Sequence, residues 1–343
     1  MSRRVRTLLI AGATFVVLFV LALTLPVPYV ILSPGPTFNT LGTDDSGSQI
    51  IVINGRTPNS TTGHLNMTTV DVSTQKISVF AALDGWLLHD QVVVPRSSVF
   101  PPGQSQQQVD QQNTQDFTQS QDDATVAAFC ELGYTPKFGV VSVTGGTPAQ
   151  GKLQPSDLLR SLDGQAVSTT TQLTAALAKD SPGQSVMLGV TRAGKPLTVT
   201  LVLAKPNAGS SGARIGIEVG SVCAAPFSVD LGLGNQIGGP SAGLMFALGI
   251  MDKVGTVDLT KGMFIAGTGT IDPSGKVGPI GGIALKMIAA RRKGATVFLA
   301  PAGNCPDVSG ATPKGLDVVK VDTLHDAVAD LLDLQAGKAV PHC

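Results

Sequence analysis

The first strong pattern along the chain is an uncharged apolar run of 18 residues at positions 8–25. A run of this length is just sufficient to cross a bilayer as a helix. Arg3, Arg4 and Arg6 precede it, and basic residues favour the cytoplasmic side of a membrane. The pattern therefore predicts a single-pass anchor in the cell membrane, with residues 1–7 cytoplasmic and the bulk of the chain extracytoplasmic.

A cleaved signal peptide is the alternative for the same run. The apolar region of a signal peptide is usually shorter, and no clear Ala-x-Ala cleavage site follows here. Both interpretations place the remainder of the chain outside the cytoplasm.

After the apolar run, the chain passes from a proline-rich segment to segments with strand-like patterns. Residues 26–47 are rich in proline and predict a linker. Apolar and β-branched residues then predict strands at 49–54, 63–72 and 78–81.

A Gln-rich segment, residues 101–122, has weak periodicity and predicts a loop or an exposed helix. Residues 124–132 have a helical pattern that closes at Gly133, a residue type that often terminates helices.

Residues 135–205 contain a compact series of short elements separated by turns. Strands are predicted at 138–143, 186–190 and 197–203, and a helix at 171–178. Thr-Pro-Ala at 147–149 and Asp-Gly at 163–164 mark turns between them.

The last part of the chain alternates strands and helices, a pattern typical of α/β packing. The predicted strands are 225–231, 262–267, 295–300 and 317–321, and the predicted helices are 241–253, 283–293 and 323–335.

Composition narrows the function classes. The formal net charge is zero, so electrostatics give no reason to expect a nucleic-acid partner. The four cysteines (Cys130, Cys223, Cys305 and Cys343) lack C-x-x-C spacing and the four histidines are scattered. No metal site is therefore expected. One disulfide is plausible in an oxidising compartment, but four cysteines allow three full pairings.

The candidate chemistry lies in two glycine-rich stretches. Gly238 and Gly239 free the backbone just before a helix that begins at Ser241. The unpaired N–H groups of a helix N-terminus suit a developing oxyanion. A serine needs a base, no histidine is placed like a triad partner, and Lys286 lies among apolar residues that could bury its amine. A surface lysine on an amphipathic helix is the alternative for Lys286.

These stretches resemble a known family. Gly-Pro-Ser241-Ala-Gly, followed by Thr268-Gly and by Gly-Lys-Val-Gly-Pro-Ile-Gly-Gly-x-x-x-Lys286, is similar to the Lon-type serine peptidases. The resemblance implies a Ser–Lys dyad, with Thr268 helping to hold the lysine. It also implies oxyanion donors at the Ser241 N–H and at Gly238 or Gly239. Many members carry an acidic residue where this chain has Gly238.

Residues 135–206 resemble a bacterial protease-type PDZ domain, and residues 62–72 and 124–132 resemble earlier parts of the Lon-type domain. The resemblance implies an α+β fold in which a PDZ domain interrupts a Lon-type proteolytic domain, preceded by one transmembrane helix. The resulting segments are 1–7, 8–25, 26–47 (linker), 48–134 (first part of the Lon-type domain), 135–206 (PDZ) and 207–337 (catalytic part).

The PDZ resemblance also suggests a peptide site. Phe138, Gly139 and Val140 match the place of a carboxylate-binding loop, whose N–H groups capture a peptide C-terminus while the peptide adds to an open strand edge. A groove occupied by the chain itself is the alternative.

The resemblance implies an ATP-independent serine endopeptidase without cofactors, acting on unfolded or flexible extracytoplasmic substrates recruited by the PDZ domain. No Gly-x4-Gly-Lys-Ser/Thr motif is present. Ring assembly is common in the family, so a homo-oligomer stays open. Two alternatives remain: a non-catalytic membrane-tethered PDZ scaffold, and a dinucleotide-binding turn at Gly232-Leu-Gly234-Asn-Gln-Ile-Gly238.

Overall fold

The computed structural model describes residues 2–87, 90–206, 212–233 and 237–343. Within these ranges the chain contains helices and strands in a mixed α+β arrangement. The helices are α1 (Arg3–Thr24), α2 (Val79–Leu87), α3 (Gln106–Glu131), α4 (Thr170–Leu177), α5 (Gly243–Val254), α6 (Ile283–Lys293), α7 (Cys305–Val308) and α8 (Leu324–Gln335).

The strands fall into two larger sheets and three short pairs. They are β1 (Pro26–Val27), β2 (Tyr29–Asn39), β3 (Ile51–Asn54), β4 (His64–Val72), β5 (Ile77–Ser78), β6 (Val92–Pro95), β7 (Pro136–Val143), β8 (Leu158–Leu162), β9 (Gln165–Ala166), β10 (Ser185–Arg192), β11 (Lys195–Val202), β12 (Ile217–Cys223), β13 (Ser228–Leu231), β14 (Phe264–Gly267), β15 (Thr270–Ile271), β16 (Val277–Gly278), β17 (Val297–Pro301) and β18 (Asp317–Val321).

Helix α1 confirms the predicted apolar helix. It is 22 residues long, its side chains are exposed, and it is long and apolar enough to cross a membrane. At about 1.5 Å per residue it measures roughly 33 Å, close to the thickness of a bilayer's hydrocarbon core. A signal sequence would satisfy the same criterion, so the helix alone does not distinguish the two.

The main sheet has the order β18-β17-β14-β4-β2-β6. Its first four strands are parallel, and β2 and β6 complete it in antiparallel pairing. The five residues of β17 are all buried. Helices cover both faces of this strand, so its sequence is a continuous apolar run and does not alternate between apolar and polar residues. The side chains of α5 and the strands β4 and β14 meet in the largest core.

The start of this sheet differs from the prediction. Residues 26–47 were expected to be a linker, but β2 pairs with both β4 and β6 and so belongs to the main sheet. Pro34 and Pro36 are accommodated where the register with β4 shifts, as expected for proline at a bulge. The predicted strand 78–81 is also wrong beyond Ser78, because α2 begins at Val79.

A second sheet, β11-β10-β8-β7-β12, is formed by residues 136–223, with β9 pairing to β8. The predicted strands and the helix of the 135–205 block are present, and their apolar side chains form a separate core. The sheet extends past the predicted border at 206, because β12 pairs along the whole of β7.

Helix α3 joins the two sheets. It covers both the Gln-rich segment and the predicted helix 124–132 in one element. Ser105 caps it by accepting a hydrogen bond from the Gln108 N–H while the Gln108 side chain accepts from the Ser105 N–H. This Ser-x-x-Gln capping box was a sequence signal for the helix start.

Two disulfides, Cys130–Cys223 and Cys305–Cys343, pair all four cysteines. The first joins the end of α3 to β12, next to a small core shared by α3 and the second sheet. The second ties the C-terminus to the start of α7. The sequence made one disulfide plausible, but the spacing of the four cysteines could not distinguish the three possible full pairings.

Candidate active site

Ser241 lies two residues before α5, at the end of a loop held by α3. The Ser120 hydroxyl donates a 2.8 Å hydrogen bond to the Pro240 carbonyl, and the Gly239 N–H donates one to the Asn113 carbonyl. Gly239 has φ = +85°, a left-handed conformation that glycine adopts without strain. These contacts set the direction in which the chain enters α5 and presents the Ser241 side chain.

Thr268 follows β14 directly and is fully buried. Its hydroxyl donates to the Ser241 carbonyl at 2.9 Å, and the Gly269 N–H donates to the same carbonyl at 2.9 Å. The end of β14 is therefore joined to the Ser241 loop by two hydrogen bonds.

Lys286 lies one turn into α6 and is 3% exposed. Its Nζ is 2.6 Å from Ser241 Oγ and 3.0 Å from Thr268 Oγ1. Gly282, before α6, has φ = +70°, and a Cβ there would lie 2.9 Å from a Val70 side-chain carbon. The backbone of α6 thus approaches β4 closely, which directs Lys286 into the interior.

Burial lowers the pKa of Lys286 from 10.5 to about 7. Desolvation disfavours the ammonium form because the low-dielectric interior solvates a charge poorly. Near neutral pH a large fraction of the amine is therefore unprotonated. An N–H of that neutral amine can donate to Thr268 Oγ1, which leaves the nitrogen lone pair available to the Ser241 hydroxyl.

Of the predicted oxyanion donors, Gly239 is unsuitable in this conformation, because its N–H is bonded to the Asn113 carbonyl. Pro240 has no N–H to offer. Gly238, which packs against Asn113, and Ser241 itself stay as candidate donors.

A cleft of about 390 Å³ opens at the serine, lined by Pro240, Ser241, Thr270, Pro279, Ile280 and Gly281. Asn304, which is buried, holds its wall: the side chain accepts from the Ile280 N–H at 2.9 Å and donates to the Ile280 carbonyl at 2.8 Å. The Cys305–Cys343 disulfide begins at the next residue.

The peptide site predicted at Phe138, Gly139 and Val140 is wrong. These residues lie within β7, whose edges pair with β12 and β8, so β7 has no open edge to which a peptide strand could add. The Val140 N–H already donates to the Asp157 carbonyl. The edge of β7 is instead occupied by the chain itself, which was the alternative prediction. This pairing could not be predicted from the local pattern, because β12 lies far from β7 along the sequence.

A larger cavity of about 1,060 Å³ lies between α3, the second sheet and β13. Asp122 lines it and accepts a hydrogen bond from the Val143 N–H at 3.1 Å. Burial raises the pKa of Asp122 to about 7. This cavity, and the loop contacts of Asn113 and Ser120, were missed from the sequence because α3 was not recognised as one helix.

Other candidate chemistry receives no support from the geometry. Within the described ranges, no group of three or more His, Cys, Asp or Glu side chains is arranged to hold a metal ion. The alternative dinucleotide-binding turn, residues 232–238, includes residues 234–236, which lie outside the described residues.

Two family profiles match the chain. Residues 235–334 match the Lon protease (S16) C-terminal proteolytic domain, and residues 109–203 match the PDZ domain. The second match begins within α3. These matches confirm the predicted combination of a PDZ domain with a Lon-type proteolytic domain.

Parts of several Lon proteases are also similar to this chain. The chain is 34% identical to Lon protease of Roseiflexus castenholzii over 97 residues, covering 27% of this chain and 12% of that protein. It is 32% identical to Lon protease of Salinispora arenicola over 128 residues, covering 36% and 16%. The similarity thus spans less than a fifth of these curated relatives.

Among solved structures, the PDZ domain of the SdrC-like protein from Listeria monocytogenes is 22% identical, covering 24% of this chain and 86% of that one, with a TM-score of 0.23.

The buried amine of Lys286 predicts a pH-dependent stability. Between about pH 7 and pH 10 the unfolded chain binds a proton at this position that the folded chain does not, so raising the pH stabilises the fold. Lys286→Met should therefore raise the thermal unfolding midpoint at pH 7, and its advantage over wild type should shrink towards pH 10.

Lys293→Met, an exposed position on the same helix, is the matched control and should show neither effect. Equal pH dependence of the wild-type and Lys286→Met midpoints would show that the amine is not desolvated.

Proposed function

We propose that this chain, which combines a PDZ domain with a Lon-type proteolytic domain, is a membrane-anchored serine endopeptidase with a Ser241–Lys286 dyad. The observation that carries the proposal is the 2.6 Å distance between Lys286 Nζ and Ser241 Oγ, combined with burial of the amine. A nucleophile must lie within hydrogen-bond reach of a base whose pKa is near the working pH.

In the first half of the reaction, neutral Lys286 takes the Ser241 proton as Oγ attacks the carbonyl carbon of the peptide bond. The resulting oxyanion is stabilised by backbone N–H groups, of which Ser241 and Gly238 are the candidates. The lysine ammonium then gives its proton to the leaving amine. The C–N bond breaks, and the acyl group stays on Oγ as an ester.

In the second half, Lys286 is neutral again and takes a proton from water, which attacks the ester. Collapse of this second intermediate breaks the C–O bond and returns the proton from Lys286 to Ser241. Thr268 acts throughout as a positioning residue, because its hydroxyl joins the amine to the Ser241 carbonyl.

Substrates on this proposal are unfolded or flexible segments. The sequence has no Gly-x4-Gly-Lys-Ser/Thr motif for ATP-driven unfolding. An extended segment would reach the serine through the cleft formed by Pro240, Thr270 and residues 279–281.

The proposed compartment is extracytoplasmic, with α1 as the anchor. Two disulfides are supporting evidence, since disulfides persist mainly in oxidising environments. Arg3, Arg4 and Arg6 on the N-terminal side of α1 favour a cytoplasmic N-terminus.

The PDZ domain is proposed to recruit protein substrates through the 1,060 Å³ cavity that it forms with α3 and β13. The cavity is large enough for several residues of peptide, since ligand sites typically measure about 300–1,000 Å³. Its wall includes β13, which precedes the Ser241 loop in sequence.

The dyad predicts a specific mutational pattern in peptide cleavage. Ser241→Ala and Lys286→Ala should each lower kcat by roughly 10⁴-fold or more, and the double variant should be no worse, because the two residues act as one unit. Lys286→Arg should be as inactive, since a guanidinium does not deprotonate.

In wild type, kcat/KM should rise as the pH passes through the lowered pKa of Lys286, about 7. Lys293→Arg is the control and should keep wild-type activity. Substantial cleavage by folded Ser241→Ala would leave the non-catalytic scaffold as the better account.

If the cavity recruits substrates, filling it should slow the cleavage of long substrates and leave the cleavage of short ones unchanged. Gln111→Trp should partly fill the cavity, because Gln111 lines it from α3. Cleavage of an unfolded protein such as labelled casein should slow severalfold, while cleavage of a short fluorogenic peptide stays unchanged.

Gln106→Trp, at the exposed start of the same helix and outside the cavity lining, is the matched control. If casein is cleaved equally fast by both variants and by wild type, the cavity is not the recruiting site.

A further inference from the structure

Helix α2 begins where α1 ends. The Val79 N–H donates a 3.3 Å hydrogen bond to the carbonyl of Leu25, the residue that caps α1. Strand β1, directly after α1, pairs with β5, directly before α2. If α1 spans the bilayer, these bonds place the first turn of α2 at the extracytoplasmic membrane surface.

The outer face of α2 is apolar. Phe80, Leu83, Trp86 and Leu87 are 48%, 49%, 57% and 78% exposed, while Ala82 and Gly85 are buried on the opposite face. The spacing of three, three and one residues keeps these four side chains on one side of the helix. Val92, on the adjoining strand β6, is 42% exposed.

This concentration is unusual for the molecule. Outside α1, five of the eleven large exposed apolar side chains of the described residues lie between positions 80 and 92. Contiguous exposed apolar side chains mark a surface that meets a membrane or a partner. These side chains lie beside the end of α1 and continue the apolar surface of that helix. This position favours a membrane over a protein partner as the surface that they contact.

The polar surroundings suit the headgroup region. Trp86 packs edge-on against Tyr29, with ring centroids 5.9 Å apart, and tryptophan and tyrosine are enriched where membrane meets water. Lys76, just before β5, is exposed and can reach phosphate groups. Asp84, the carboxylate on α2, lies at the flank of the apolar face and can stay in water.

We propose that α2 is an interfacial helix that inserts Phe80, Leu83, Trp86 and Leu87 into the outer leaflet and thereby docks the proteolytic domain on the lipid surface. The inference rests on the membrane anchoring in the proposed function. It adds a second, independent contact with the bilayer, and so a defined orientation instead of a flexible tether.

Docking would fix the candidate active site relative to the membrane. Strand β14 ends beside Met67 of the parallel strand β4, and Thr268 follows directly. Strand β4 continues in the same direction to Val72, and the chain then enters β5 and α2. The five residues that follow Met67, up to Val72, correspond to about 17 Å along a strand. The serine cleft and the interfacial helix therefore lie towards the same end of the main sheet.

The experiment uses the full chain in nanodiscs, because Trp86 is the chain's one tryptophan. Its fluorescence is recorded with phospholipids brominated along the acyl chain and, separately, with aqueous iodide. The proposal expects a blue-shifted emission, strong quenching by the brominated lipid and weak quenching by iodide. The control is the double variant Trp86→Phe/Val257→Trp. Residue 257 adjoins Asp258, whose carboxylate accepts a hydrogen bond from the Thr62 hydroxyl. Thr62 precedes the start of β4, which is the end of that strand opposite to α2. The tryptophan of this control should be quenched by iodide alone.

Quenching of Trp86 by iodide and not by brominated lipid would overturn the proposal. Protection from both quenchers would also overturn it, because a second protein surface would then cover α2. Peptide cleavage and the mass of the N-terminus are measured on the same nanodiscs. Loss of α1 from the mature chain would refute anchoring and docking together, whereas lipid quenching in an inactive chain would refute the protease assignment alone.

Discussion

The desolvation of one amine is the constraint on which the rest of the candidate site depends. A lysine in water holds its proton at neutral pH and cannot act as a base. Lys286 is 3% exposed and its pKa falls to about 7. Burying an amine costs free energy that neighbouring contacts must offset. The two hydroxyls within hydrogen-bond distance of Nζ, those of Ser241 and Thr268, give the amine partners without supplying a negative charge that would restore its proton.

Holding that arrangement requires segments that are distant in sequence. Helix α3 orients the loop before Ser241 through Asn113 and Ser120, β14 supplies Thr268, and α6 approaches β4 closely enough to direct Lys286 inward. The PDZ domain is attached to the same helix α3 through the Cys130–Cys223 disulfide and a shared apolar core. The PDZ domain is thereby attached directly to the helix that holds the serine loop.

Local patterns were sufficient for much of this architecture. The strands and helices of the last third of the chain were predictable because their apolar periodicity is strong. The two glycine-rich motifs identified Ser241, Thr268 and Lys286 as the residues to bring together through their resemblance to the Lon-type serine peptidases. Features that depend on long-range pairing were not predictable. The proline-rich stretch that becomes β2, the strand β12 that closes the edge of β7, and the choice of disulfide partners all depend on contacts between residues far apart in sequence. The peptide site expected at residues 138–140 was wrong for the same reason.

The reactivity of Ser241 towards a serine-directed phosphonate measures activation of its hydroxyl without needing a physiological substrate. We expect phosphonylation of Ser241, located by peptide mapping, with a rate that rises through about pH 7 as Lys286 loses its proton. In Lys286→Met the rate should fall by at least about a hundredfold, the usual contribution of a positioned general base. Equal labelling of wild type and Lys286→Met would show instead that the buried amine does not activate the serine, and would rule out the Ser241–Lys286 dyad.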